Sequence, residues 1–217
     1  MTSTTVILGG GVGGLATARA LRKRLGRDHR IVVVDRDDQH RFAASLLWVL
    51  SGDRQPADLA RPLTRLATRG VEFVHASVSA IDPAARAVTL DDGQTLTADH
   101  LVVALGAELD RTKPPGLAEH GHCPYDVDGV VALRTALAAL EDGRVVVLTA
   151  APAYKCPAAP YEAAMLLEYD CRKRKVRESV QVDLYTAEPG PMGVAGPAVS
   201  AAVREMVTFD SCPLPSS

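Results

Sequence analysis

TTVILGGGVGGLATARALRKRL, residues 4–25, reads as a strand, a glycine-rich turn and a helix in succession. Residues 5–8 are apolar and suit a short buried strand. Gly9, Gly11 and Gly14 form G-x-G-x-x-G, and the Ala- and Leu-rich run behind them suits a helix. Each glycine has its own reason to be there. The first permits the tight turn, the second lets a diphosphate approach the backbone, and the third lets the helix lie close against the sheet. The N–H groups that open the helix then face the phosphates. The motif is informative because a strand precedes it and a helix follows it.

The next strand supplies the partner that the motif requires. RIVVVD, residues 30–35, ends in Asp35, about 20 residues beyond the last glycine, where a carboxylate accepts hydrogen bonds from ribose hydroxyls. Asp35 favours a free ribose over a 2′-phosphate, so FAD or NAD is expected ahead of NADP. Arg36 acts slightly in the other direction.

QHRFAASLLWVLSG, residues 39–52, admits two readings: a core helix, or backbone that passes beneath a flavin ring. PADLARPLTRLATRG, residues 56–70, has helical spacing and a glycine stop. Strands are expected at 71–74, 78–81 and 87–90, with a hairpin at Asp92-Gly93. A last buried strand at 100–105 ends at Gly106. This order is not a plain Rossmann repeat. It resembles the layout of flavoproteins with two dinucleotide-binding units, and the resemblance implies that the strand LVVALGA, residues 101–107, runs into a small-residue turn beside the FAD.

TKPPGLAEHGHCPYD, residues 112–126, reads as a linker and GVVALRTALAAL, residues 129–140, as a helix. RVVVLTA, residues 144–150, begins a second α/β unit at about Gly143. That unit carries no G-x-G-x-x-G. APAYKCPAAP, residues 151–160, cannot imitate it, because proline lacks an N–H and each β-carbon keeps a diphosphate off the backbone. We therefore expect no nicotinamide site. Pro160 suits the first turn of a helix through YEAAMLLEY, which leaves Cys156 just ahead of the positive end, beside Lys155. Both features favour the thiolate. The alternative is a small buried cysteine in a tight turn.

The 217 residues are 47% apolar and 23% charged, with a formal net charge of −2. This is an ordinary globular balance, without the basic stripe that nucleic acid requires or an apolar run of membrane-spanning length. No secretion signal opens the chain, so a cytoplasmic location is expected, extended by peripheral contact with the inner face of a membrane. The four cysteines, Cys123, Cys156, Cys171 and Cys212, lack zinc-knuckle spacing, and a disulfide framework is not expected in a cytoplasmic chain of this size. Cys171 is expected to pack inside its helix. His120 and His122 beside Cys123 lack a fourth ligand, so we expect no metal. RKRKVR, residues 172–177, suits a solvated helix end better than an anionic membrane surface.

Four segments together carry a resemblance: GGGVGGLATARALRKRL (9–25), VVDRDDQHRFAASLLWVL (33–50), DHLVVALGAELD (99–110) and YKCPAAPYEAAMLLEYDCRKRKVR (154–177). They resemble the sulfide:quinone oxidoreductases and the flavoprotein subunit of flavocytochrome c sulfide dehydrogenase, over residues 5 to about 206. Cys-Pro-x-x-Pro-Tyr-Glu, residues 156–162, is the most specific element. The resemblance implies bound FAD and an electron acceptor other than NAD, either a quinone or a haem protein. Gly9, Gly11, Val12, Gly13, Gly14, Asp35, Arg36, Val78, Ala104 and Gly106 are the residues expected to hold the cofactor. Cys156 matches the cysteine that takes sulfur from sulfide, or from another small sulfur substrate, and passes electrons to the flavin. Cys123 is a second candidate, in the variant setting GHCPYD. A homo-oligomer is compatible with this picture. The alternatives are another flavin oxidoreductase, such as a non-proton-pumping NADH dehydrogenase, and a non-catalytic nucleotide-binding fragment.

The expected architecture is α/β. A Rossmann-like FAD-binding unit with a β-meander occupies residues 1–112, and a linker and helix follow at 113–142. The start of a second Rossmann-like unit spans 143–208, and 209–217 form an atypical tail. Full members of the resembled group continue through the second unit, return to the FAD domain and supply a partner cysteine. MVTFDSCPLPSS, residues 206–217, departs from their pattern, and Cys212 within it is not assigned the partner's role. Weak FAD binding, and no turnover by the chain alone, are the resulting expectations.

Overall fold

In the computed structural model, which describes residues 3–112, 115–151 and 154–208, alternation along buried strands builds the first unit. This unit comprises Met1–Phe42 and Ala57–Leu109. β1 (Thr4–Leu8) runs into α1 (Val12–Arg24), which returns the chain to β2 (Arg30–Asp35). β2 pairs in parallel with β1. β5 (Glu72–His75) pairs with β2 and β9 (His100–Val103) with β1, both in parallel, to give the order β5-β2-β1-β9.

Successive side chains on a strand point to opposite faces. Ile7, Ile31 and Val33 face one side and pack with Ala18 of α1 and with Val71. Val6, Leu8, Val32 and Val34 face the other side and pack with Val88 and Leu90. Those two residues belong to β7 (Ala87–Leu90), the middle strand of an antiparallel meander with β6 (Val78–Asp82) and β8 (Thr95–Thr97). Fully burying each such aliphatic side chain contributes about 1.5–3 kcal/mol. The central sheet is therefore held from both sides, and its strand ends are rigid supports for the turns they carry.

The stretch 56–70 departs from the helix that its spacing suggests. It forms a 3-10 turn (Pro56–Leu59), β4 (Ala60–Pro62) paired antiparallel to β3 (Gln39–Arg41), and a second 3-10 segment (Leu63–Arg69). Pro62 is the physical reason. It has no N–H for a helix ladder, and it pushes the residue before it into extended backbone. The glycine stop is present at Gly70, with φ +72°.

The second unit comprises Ala43–Pro56 and Asp110–Ser217. Of residues 39–52, the core-helix reading fits 46–50: α2 (Leu46–Leu50) buries Leu46, Leu47, Val49 and Leu50, while 39–41 form β3. The short α3 (Leu117–His120) lies within the linker. α4 (Val127–Ala138) is capped by Asp126, whose side chain accepts from the Gly129 N–H at 2.7 Å. β10 (Gly143–Thr149) and β11 (Val180–Thr186) pair in parallel, and α5 (Ala159–Arg174) connects them. Pro160 stands in the first turn of α5, and Tyr161, Ala164, Leu167 and Cys171 form its buried face at helical spacing. α6 (Pro197–Val207) packs on α5.

The basic run at 172–177 is largely committed inside this unit. Arg172 and Arg177 both donate to Glu168, whose side chain is 6% exposed. Arg174 donates to the carbonyls of Leu137 and Leu140. The tail 209–217, with Cys212, lies outside the described residues.

Candidate functional site

The first unit gathers its candidate residues around one turn. The Gly9 N–H donates to the Val34 carbonyl at 2.7 Å, and the Ala104 N–H donates to the Leu8 carbonyl at 2.8 Å. Gly9 has φ +105°, and a β-carbon there would overlap the Ala104 carbonyl oxygen. A β-carbon on Gly14 would overlap the carbonyl oxygen of Gly9, so α1 lies against the turn with no room for a side chain. Gly11 is different, because a β-carbon there would meet nothing within 4 Å. It is the N-cap of α1, it offers no side chain to the opening amides, and the first turn carries no acidic residue. Val12 is 64% exposed, and Gly13 is exposed beside it. The space before the helix is thus open, amide-lined and free of the turn's own carboxylates, which fits a diphosphate.

Asp35 ends β2 directly beside this turn. Its Oδ2 accepts from the Gly10 N–H at 2.5 Å and its Oδ1 from the Asp37 N–H at 2.8 Å. A carboxylate oxygen accepts more than one bond, so Asp35 ties the turn in place and keeps acceptor capacity for ribose hydroxyls. A cleft of about 370 Å³ opens there, lined by Gly9, Asp35, Arg36, Val78 and Gly106 among others. Ser77 and Glu108 also line it and had no signal in the sequence. Arg36 and Glu108 form an exposed ion pair at 3.8 Å.

The second unit repeats the plan with different chemistry. Where a glycine turn would follow β10, the chain carries Tyr154, Lys155, Cys156 and Pro157. Cys156 is exposed, so the buried-cysteine alternative does not describe it. It has φ +55°, and its carbonyl accepts from the Ala159 N–H at 3.0 Å as α5 begins. Cys123 is half-buried, and Cys171 is buried at 3% exposure. Burial raises the Cys171 thiol, as expected for an inert packed cysteine. Tyr125, two residues after Cys123, donates to the carbonyl of Lys155, the residue before Cys156. Its phenol is pushed up to about 12, first by burial and then by the negative charge of the Cys156 and Cys123 thiolates. Among the described residues, no three His, Cys, Asp or Glu side chains gather to hold a metal ion.

An acid also stands beyond β11. Glu188 accepts from Tyr154 Oη at 2.7 Å and Tyr161 Oη at 2.6 Å, both on Oε2. In the first unit the acid after the second strand holds a glycine N–H; in the second it holds two phenols. The position of Glu188, two residues past its strand, was a usable signal. The tyrosines had none. A larger cleft, about 690 Å³, runs along β11 beside Arg204 and Thr208 and carries no glycine turn.

This interlock has a pH window. The two phenols hold Glu188 below the usual carboxylate range. Burial first, then the bond to Glu188, raises Tyr154 and Tyr161 above the usual phenol range. A lowered acid contributes stability that is lost as pH falls through its folded value. A raised phenol contributes stability that is present below its unfolded value and lost as pH rises through its folded one. Three of the five tyrosines, Tyr125, Tyr154 and Tyr161, are therefore expected to ionise above the usual phenol range. Ultraviolet difference absorbance checks this, and five phenols ionising together near the ordinary value would contradict it.

Comparison with known proteins identifies the family. The chain is 31% identical over 209 residues to the sulfide-quinone reductase of Aquifex aeolicus, covering 94% of this chain and 48% of that protein. It is 36% identical over 143 residues to a demethylphylloquinone reductase of Synechocystis, covering 62% and 35%. The crystal structure of the Aquifex aeolicus sulfide:quinone oxidoreductase superposes with a TM-score of 0.87 at 30% identity, over 94% of this chain and 48% of that one. The chain thus spans about half the length of these relatives. The pyridine nucleotide-disulphide oxidoreductase family matches residues 3–203, and the chain belongs to that family.

Proposed function

We propose that this chain is the FAD-binding portion of a sulfide-oxidising flavoprotein that passes electrons to a quinone. The observation that carries the reading is the pairing of two features. One is an open, amide-lined glycine turn with Asp35 beside it; the other is an exposed cysteine where the second unit would need a glycine. Gly9, Gly11, Val12, Gly13 and Gly14 would hold the diphosphate. Asp35 would hold the adenosine ribose, with Arg36, Val78, Ala104 and Gly106 around it. Bound FAD would supply a two-electron acceptor.

The remaining chemistry falls to this chain's own residues. The Cys156 thiolate and hydrosulfide form a new S–S bond, giving a cysteine persulfide, one proton and two electrons. The electron pair leaves to the acceptor and the proton to solvent. Tyr125 is held as a phenol well above the usual range, so it keeps donating to the Lys155 carbonyl beside Cys156. The loop after β10 has no glycine, and the acid after β11 is taken by two phenols, which supports a quinone or haem-protein partner over a nicotinamide.

Among the described residues no helix is long and apolar enough to cross a membrane. Contact with the inner face of a membrane, where quinone resides, is part of this proposal. Engagement of the three arginines of the run 172–177 within the second unit supports its reading as a helix end rather than the membrane contact.

The test is an anaerobic titration. The purified chain is loaded with FAD, sulfide is added, and flavin absorbance is followed. Bleaching by sulfide, lost in Cys156→Ser and not produced by NADH, is expected. Equal bleaching in wild type and variant would remove Cys156 from the chemistry, and bleaching by NADH would favour a dehydrogenase.

A further inference from the structure

We propose that Tyr125, Tyr154 and Glu188 are positioning residues that hold the Cys156 loop in the conformation that presents its thiol. The proposal rests on the reading of Cys156 as the reactive cysteine. Its geometric basis is independent of any cofactor.

Cys156 lies in the left-handed region, with φ +55°. For a residue with a side chain this conformation is disfavoured and persists only when the surroundings impose it. The surroundings here are specific. On the N-terminal side, Tyr125 Oη donates to the Lys155 carbonyl at 2.5 Å. One residue earlier, Tyr154 Oη donates to Glu188 Oε2 at 2.7 Å. On the C-terminal side, the Cys156 carbonyl is held by the Ala159 N–H as α5 begins. The two residues before the cysteine are therefore tethered, and its own carbonyl is tied to the helix.

The anchors are themselves fixed. Glu188 also accepts from the buried Tyr161, and its N–H donates to Thr186 Oγ1 at 3.2 Å. Thr149 and Thr186, at the ends of β10 and β11, hydrogen-bond at 3.0 Å. The loop is thus referenced to the ends of two paired strands. Tyr125 reaches it from the segment that carries Cys123, so one phenol links the placement of both candidate cysteines. In the first unit the acid after the second strand fixes a turn left open for a ligand. In the second, the same device fixes a turn that presents a thiol.

The test measures alkylation of each cysteine in the full chain by iodoacetamide, read by mass spectrometry. Wild type is compared with Tyr154→Phe, Tyr125→Phe, Glu188→Ala and Glu188→Gln. Releasing the tether lets Cys156 return to ordinary backbone conformations, so its alkylation rate is expected to fall about fivefold in Tyr154→Phe and Glu188→Ala. Glu188→Gln keeps an acceptor oxygen and is expected to recover much of the rate. Cys171 reports the fold and is expected to stay protected. If Glu188→Ala exposes Cys171, the two phenylalanine variants decide. An unchanged Cys156 rate in both, with Cys171 protected, overturns the proposal, as does a loss that only tracks exposure of Cys171. Alkylation requires neither FAD nor sulfide. Its outcome is therefore separate from that of the bleaching experiment, and either reading can fail alone.

Discussion

Gly14→Ala is expected to abolish FAD binding and to lower the melting temperature of the chain by roughly 10 °C or more. The methyl group would overlap the carbonyl oxygen of Gly9, a backbone atom held in place by the Val34 and Ala104 bonds around it. The Ile7 side chain lies 3.3 Å from the same point, so α1 cannot simply slide along the sheet. The helix must lift from β1, which opens the core around Ala18 and moves the amides that would face the diphosphate. Overpacking of this kind costs about 3 kcal/mol or more when backbone has to yield. Gly11→Ala is the matched control. Its methyl group meets nothing within 4 Å, so only the preference for glycine over alanine at an N-cap, about 1 kcal/mol, should be lost. It would instead fill the space we assign to the diphosphate and is expected to weaken FAD binding at least about tenfold. Thermal melts and flavin titration of the two variants check this. Equal FAD affinity of Gly11→Ala and wild type would remove the diphosphate assignment.

Glu168→Ala is expected to destabilise the second unit by about 3 kcal/mol. Glu168 is 4% exposed within α5 and is held by Arg172 and Arg177. Arg172 can turn to solvent when its partner is removed, because its side chain is already 62% exposed. Arg177 cannot do so as readily at 16% exposure, so it is left buried without its charge partner. That places the cost at the lower end of the range for a broken buried pair. Glu168→Gln retains one acceptor and most of the packing and is expected to cost about 1.5 kcal/mol. Urea denaturation read by tyrosine fluorescence separates the two, and a midpoint unchanged in Glu168→Ala would show that the pair adds nothing.

Local features were legible in order along the chain. The strands around residues 5–8 and 30–35 were readable because β-branched and aliphatic runs of that length, next to glycine, have few alternatives. The helix beginning near Pro160 was readable from the proline and from apolar spacing. The failure at 56–70 is instructive. Its apolar spacing suits a helix, yet Pro62 breaks the ladder and the segment pairs with residues 39–41 instead. A pattern within one window cannot report a partner about twenty residues away.

The glycine turn, the acid at residue 35 and the cysteine ahead of a helix were determined by sequence alone, because each depends on covalent neighbours and on a period of 2 or 3.6. The tertiary structure alone decided what holds these groups. Tyr125 reaches a carbonyl 30 residues away, Tyr154 an acid 34 residues away, and Asp35 an amide 25 residues away. Such hydrogen bonds form only after strands and helices have packed and brought distant backbone together. Their geometry is set by that packing rather than by any spacing along the chain.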